Sequence, residues 1–151
     1  KQPPKAKEPK SRLVEVPVCY DAEFAPDLGV VAKQAKLPPE EVIKRHRKPE
    51  YLVYLVGFAP GFPYLGGLPA ELETPRRAKP RMTVPPGSIG IGGKQTGIYP
   101  AATPGGWNLI GRTPLRLFRP AEDPPVLLGA GDRVKFRAIS REEFAKLETD
   151  A

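Results

Sequence analysis

The sequence predicts a mainly β fold, a barrel or sandwich with short flanking helices, on three observations. First, 151 residues with 40% hydrophobic content suffice for one core-bearing domain. Second, the 21 Pro and 15 Gly break the chain at intervals of roughly ten residues, the punctuation of short strands and turns. Third, the segments between the breakers are apolar, β-branched or alternating, which argues for packed strands rather than disorder.

The elements follow in order. Residues 1 to 12, "KQPPKAKEPKSR", hold five cations and one acid, with almost nothing apolar to repay the entropy of ordering. Residues 1–11 are therefore expected to be a flexible basic tail, with a barrel domain over 12–140 and a terminal helix over 141–151. "RLVEVPVCY" alternates and reads as the first strand, with Pro17 at an edge or bend. "APDLGVVAKQAK" predicts a helix over 27–36 capped by Asp27. Over 39–47, Pro39 suits a first helical turn. Glu40 and Glu41 complement its positive end, and Lys44, Arg45, Arg47 and Lys48 its negative end before Pro49.

"YLVYLVGF" (51–58) is a continuous apolar run and reads as a central buried strand. "SIGIGG", "QTGIYP", "GWNLIG" and "PLRLFRP" are further strand candidates. A turn at Gly129–Asp132 leads to an alternating strand with Val134, Phe136 and Ala138 facing one way. "SREEFAKLE" ends the chain as a helix, with Ser140 and Glu143 set out as a capping box.

Charge narrows the function classes. The formal charge is +7, but the first 12 residues account for +4 of it. No basic stripe interleaved with aromatics marks a nucleic-acid binder. No apolar run is long enough for a membrane span and no export signal is seen, so the expectation is a soluble cytoplasmic protein. One Cys and one His provide no metal-ligand cluster. Cys19 reads as a small core residue, and His46 as structural or surface.

The glycine-rich segment 92–114 invites comparison with phosphate loops, and both templates fail. The P-loop pattern ending at Gly93–Lys94 has Ser88 in place of its first Gly and Gln95 in place of the Ser or Thr. The dinucleotide fingerprint begun by Gly90 and Gly92 requires Gly where Gln95 stands.

Residues 74–121 contain no acid, yet carry Arg76, Arg77, Lys79, Arg81, Lys94, Arg112, Arg116 and Arg119. Gathered on one face, these cations would bind carboxylate or phosphate; dispersed, they would pair with acids from other segments. The same stretch lacks a general acid or base, so it can position and polarise a ligand but not complete acid–base catalysis alone. "FAPGFPYLGGLP" either displays Phe58, Phe62 and Tyr64 to a ligand or folds onto its own core. The Pro-rich "TPRRAKPRMTVPPGS" is either solvated charge or an anion clamp. Trp107 either fills a corner or forms a ligand platform.

Taken together, "EVPVCYDAEFAPDL", "YLVYLVGFAPGFPYLGGLP", "TPRRAKPRMTVPPGSIGIGGKQTGIYP" and "PGGWNLIGRTPLRLF" resemble one family. It comprises the B-type subunits of bacterial ATP-dependent 5-oxoprolinase, the KipI-type inhibitors of histidine kinases, and allophanate hydrolase subunit 1, related to the carboxyltransferase part of urea carboxylase. The resemblance runs from about Arg12 to Ile139. It implies a cyclophilin-like β-barrel, without the N-terminal ferredoxin-like subdomain usual in the family.

It also implies work in a complex that uses ATP to open 5-oxoproline to glutamate, beside a homologous larger subunit and a further oxoprolinase subunit. ATP belongs to that complex and is not necessarily bound by this chain. A histidine kinase is the alternative partner, and carboxyl transfer to urea a further alternative that needs a biotin-bearing partner. Motif matches imply that Phe62, Tyr64, Arg81, Gln95, Thr96, Tyr99, Trp107 and Arg112 line an inter-subunit cleft. In that cleft Arg81 and Arg112 take anions, Gln95 and Thr96 form hydrogen bonds, and the aromatics give shape.

Overall fold

The computed structural model describes residues 12–55, 62–117 and 127–150. Among them the chain forms β1 (Leu13–Val18), α1 (Leu28–Ala35), α2 (Pro39–Arg47), β2 (Tyr51–Leu55), β3 (Pro63–Gly66), β4 (Arg81–Val84), β5 (Ser88–Gly92), β6 (Gln95–Ile98), β7 (Thr103–Gly105), β8 (Asn108–Arg112), β9 (Arg133–Ala138) and α3 (Arg141–Asp150). Seven strands make one sheet in the order β1-β9-β2-β3-β6-β5-β8. The pairs are antiparallel except for the parallel pair of β1 with β9.

The two outer strands of that order meet. Cys19, directly after β1, exchanges both backbone hydrogen bonds with Arg112 at the end of β8, at 2.9 and 3.0 Å. This bridge brings the sheet round into a nearly closed barrel and pairs backbone groups that an open edge would leave exposed. β4 and β7 form a separate two-stranded ribbon.

Alternation places the core. Val16, Val18, Tyr51, Val53, Leu65, Ile89, Ile91, Ile98, Val134 and Phe136 fill the interior, and α1 and α2 add Val31, Ala32 and Val42. β5 is buried along its whole length. Its Ile89 and Ile91 join that interior, while Gly90 and Gly92 on the opposite side lie against Trp107.

Helix chemistry is largely as the sequence predicts. In α2, Pro39 stands in the first turn with Glu40 and Glu41, and Lys44 to Arg47 occupy the last. Ser140 Oγ accepts the Glu143 N–H at 3.0 Å and so caps α3. The Glu143 carboxylate is drawn away to Arg137, 3.2 Å, leaving the capping box half made.

Several expectations are corrected. Asp27 sits at the N-terminus of α1, but its side chain makes no capping hydrogen bond because other donors engage it. β2 is buried on one face only, since Leu52 and Tyr54 are exposed; residues 56–58 lie outside the described residues. In "PLRLFRP", residues 114–117 form no strand, and 118–120 lie outside the described residues. There Pro114 lacks an N–H and Thr113 Oγ1 accepts the Leu115 N–H at 3.2 Å, a local bond that competes with strand pairing. Ala138 is exposed at the end of β9, where burial passes to Ile139. The aromatic loop holds a strand, β3, and the Pro-rich cationic connection holds β4. The basic tail 1–11 lies outside the described residues.

Candidate functional site

The strand-to-strand segments of the glycine-rich half wall two cavities. The smaller, about 230 Å³, lies among Phe62, Tyr64, Tyr99, Trp107, Arg76, Arg77 and the β7 backbone. Its rings hold one another in edge-to-face or tilted contact. Phe62 is 4.8 Å from Tyr64, 5.1 Å from Tyr99 and 5.7 Å from Trp107, while Tyr64 meets Trp107 at 5.5 Å. Such contacts fix ring orientation as well as burying area.

Two glycines allow this packing. A Cβ on Gly92 would collide with the Trp107 indole, and one on Gly105 with the Tyr99 hydroxyl and ring. The glycines therefore let two large side chains lie flat against the backbone.

Beside this pocket lies a buried carboxylate. Asp27 is 3% exposed. It accepts hydrogen bonds from Arg81 Nη1 (2.7 Å) and Nη2 (3.1 Å), Arg77 Nη1 (3.0 Å) and the Leu109 N–H (2.7 Å). Burial pushes its carboxyl up, but Arg81, the Leu109 N–H and Arg77 outweigh that and leave it below the usual range. Arg81 thus spends its planar fork on an anion supplied by the chain itself, the pairing that dispersed arginines are expected to make. Asn108 Nδ2 adds a bond to the Pro75 carbonyl at 2.9 Å, and the Arg77 N–H one to Gly106. The cationic connection is consequently tied down before any ligand arrives.

The larger cavity, about 800 Å³, is walled by Pro85 to Gly87, Tyr99 to Ala102, Arg112 to Leu117, Phe144 and Glu148. Arg112 lies in its wall with the guanidinium carbon 4.4 Å from the centre of the Phe24 ring. Its Nε is buried without a hydrogen-bond partner. Burial lowers the Arg112 pKa, opposed by the charges of Glu148 and Glu23, yet an arginine stays cationic. A half-buried cation whose desolvated Nε donor is unused attracts an anion.

The residues matched to the cleft therefore separate. Phe62, Tyr64, Tyr99 and Trp107 meet in the small pocket, Arg112 lies in the large one, and Tyr99 borders both. Gln95 is exposed at the start of β6 and lines neither cavity.

Thr96 is fully buried and faces the barrel interior. Its hydroxyl donates to the Gly90 carbonyl at 2.7 Å, so it must accept from His46 Nε2 at 3.1 Å. That leaves His46 Nδ1 to accept the Tyr20 O–H at 3.4 Å. Gln95 and Thr96 are neighbours on one strand and point to opposite faces, Gln95 outward and Thr96 into the barrel. His46 is fully buried, stacks on Phe136 at 4.8 Å, and burial depresses its pKa to about 3. It is a neutral structural residue.

The sequence reads Asp27 only as a helix cap, and Arg76 and Arg77 only as members of the cationic stretch, outside the motif-matched cleft. Their signal was present in the acid-free stretch 74–121, whose arginines require an acid from elsewhere in the chain.

Comparison with known proteins places this geometry. Residues 1–128 match the family described as carboxyltransferase domain, subdomain C and D. The 5-oxoprolinase B-type subunit of Bacillus subtilis (strain 168) is 59% identical over 133 residues, covering 88% of this chain and 55% of that protein. Its counterpart in Escherichia coli O157:H7 is 58% identical over 131 residues, covering 87% and 60%. The chain thus spans little more than half the length of these relatives.

Among solved structures, a conserved uncharacterized protein of Pyrococcus horikoshii superposes with a TM-score of 0.84 at 51% identity, over 88% of this chain and 62% of that one. The Kluyveromyces lactis urea carboxylase shares the fold at a TM-score of 0.78 and 21% identity, over 93% and 15%. No helix among the described residues is long and apolar enough to cross a membrane. With most of its length matched and its barrel superposing on these relatives, the chain belongs to the family of carboxyltransferase domains, subdomains C and D.

Proposed function

We propose that the chain acts as a B-type component of an ATP-dependent 5-oxoprolinase, opening 5-oxoproline to glutamate together with homologous partner subunits. The observation that carries this reading is the pattern of identity. Relatives named as 5-oxoprolinase B-type subunits from three bacteria are 56–59% identical over 127–133 residues, whereas the urea amidolyases are 37–38% identical over 68–69.

The chemistry agrees with the cavities. Hydrolysis of a lactam converts a neutral ring amide into a carboxylate and an amine, and coupling to ATP supplies the drive. Charge then builds up on oxygen, in carboxylate and in phosphate. Preoriented cationic donors stabilise such charge with little reorganisation, and Arg112, stacked over Phe24 with its Nε desolvated and unbonded, offers such a donor. In this reading partner subunits supply the general acid and base, since Glu148 in the large cavity is the one carboxylate among the described walls of the two cavities.

The test is reconstitution of the full-length protein with its partners, following glutamate released from 5-oxoproline with and without ATP. ATP-dependent release that requires this protein supports the reading. Absent turnover with all partners present, combined with tight binding to a sensor histidine kinase, would replace it with the inhibitor role.

A further inference from the structure

The aromatic pocket has walls that select a ligand by shape and by charge. At about 230 Å³ it falls below the ~300 Å³ at which sites for drug-sized ligands begin, so it suits one small ring rather than a nucleotide. Phe62, Tyr99 and Trp107 are each at most 5% exposed and so back the pocket rigidly, while the partly exposed Tyr64 gives its apolar wall surface that such a ring can meet. Arg76 and Arg77 complete the wall, and no acid joins them among the described residues. Arg77 is held by Asp27 at 3.0 Å, while Arg76 is solvent-exposed and has no ion-pair partner among the described residues. One cation is thus preset and the other is available.

We propose that this pocket binds a small cyclic lactam bearing a carboxylate, with the aromatic rings against the lactam ring and Arg76 and Arg77 on the carboxylate. The proposal rests on the 5-oxoprolinase reading, in which that ligand is 5-oxoproline. The same charges explain discrimination. A lactam nitrogen is neutral, whereas an amino acid brings an ammonium that would lie beside two guanidinium groups, with the neighbouring Asp27 carboxylate already taken up by Arg77, Arg81 and the Leu109 N–H. Ring opening creates that ammonium together with a second carboxylate, so net charge is unchanged and the pocket favours the substrate through the ammonium's place beside the guanidinium groups and the loss of the compact ring. Tyr99 borders both this pocket and the Arg112 cavity, so the two subsites share one wall.

Trp107 is the single tryptophan of the chain and stands in the pocket wall, which makes its emission a direct probe. The chain is titrated with 5-oxoproline, with 2-pyrrolidinone, which has the ring but no carboxylate, and with L-glutamate. The expected result is a saturable change with 5-oxoproline and binding at least about tenfold weaker for the other two. Arg76→Ala, at an exposed position, is expected to weaken 5-oxoproline by at least about tenfold while leaving the thermal transition in place.

Equal binding of 5-oxoproline and 2-pyrrolidinone, equal binding of glutamate, or wild-type binding by Arg76→Ala would overturn the proposal, as would an unresponsive Trp107. The readout is separate from turnover. An active complex with a silent Trp107 defeats the pocket and leaves the function standing, and saturable binding without turnover does the reverse.

Discussion

His46 brings a pH dependence into the barrel core. Its ring is fully buried between Tyr20, Thr96 and Phe136, and burial holds its pKa near 3 against an ordinary 6.5. As pH falls below 6.5 the unfolded chain takes up a proton that the folded chain refuses. Stability therefore drops by about 1.4 kcal/mol per pH unit, and the contribution is fully present only above that range. Asp27 acts in the same direction at lower pH. Its carboxyl lies below the ordinary 3.8, so its contribution is present above that value and lost as pH falls through the folded one. Denaturant unfolding of His46→Gln, which cannot titrate, is expected to show a pH slope shallower by about one proton between 6.5 and 3. Equal slopes would move the effect to other groups. The sequence placed His46 correctly on a helix end, but its partners Tyr20 and Thr96 lie 26 and 50 residues away. No local pattern announces such a network.

At the scale of elements, what was legible followed local chemistry. Pro39 with its flanking charges marked α2, and Ser140 marked α3, because those signals act within one helical turn. β4 and β7 were not legible, since each owes its strand character to the other across the whole β5–β6 hairpin. Asp27 carried an N-cap signal that was overruled when two arginines and a backbone N–H claimed its carboxylate. The aromatic cluster was legible as composition in Phe62, Tyr64, Tyr99 and Trp107, but not the separation of Arg112 from it, which barrel curvature decides. Gly92→Ala tests the packing of this wall. Its methyl group would strike Trp107, with an expected cost of about 1–3 kcal/mol in denaturant unfolding and a shifted Trp107 emission. Wild-type stability and emission would show that the indole does not rest on that strand.

For the molecule as a whole, one backbone bridge unites fold and site. Cys19 and Arg112 bring the sheet round into its barrel through their backbones, and the Arg112 side chain then reaches the large cavity over Phe24. Because barrel pairing is carried by the Arg112 backbone, its side chain is free for another task. Arg112 makes no salt bridge among the described residues, so removing its half-buried side chain leaves no orphaned acid and the fold should tolerate the loss. The most direct measurement is ATP-dependent glutamate release by the reconstituted complex with Arg112→Ala in place of the wild-type protein, alongside a thermal melt of the variant. The account predicts a fall in kcat/KM of about 100-fold or more with the melting transition retained. Wild-type turnover, or activity lost only because the variant no longer folds, would contradict it.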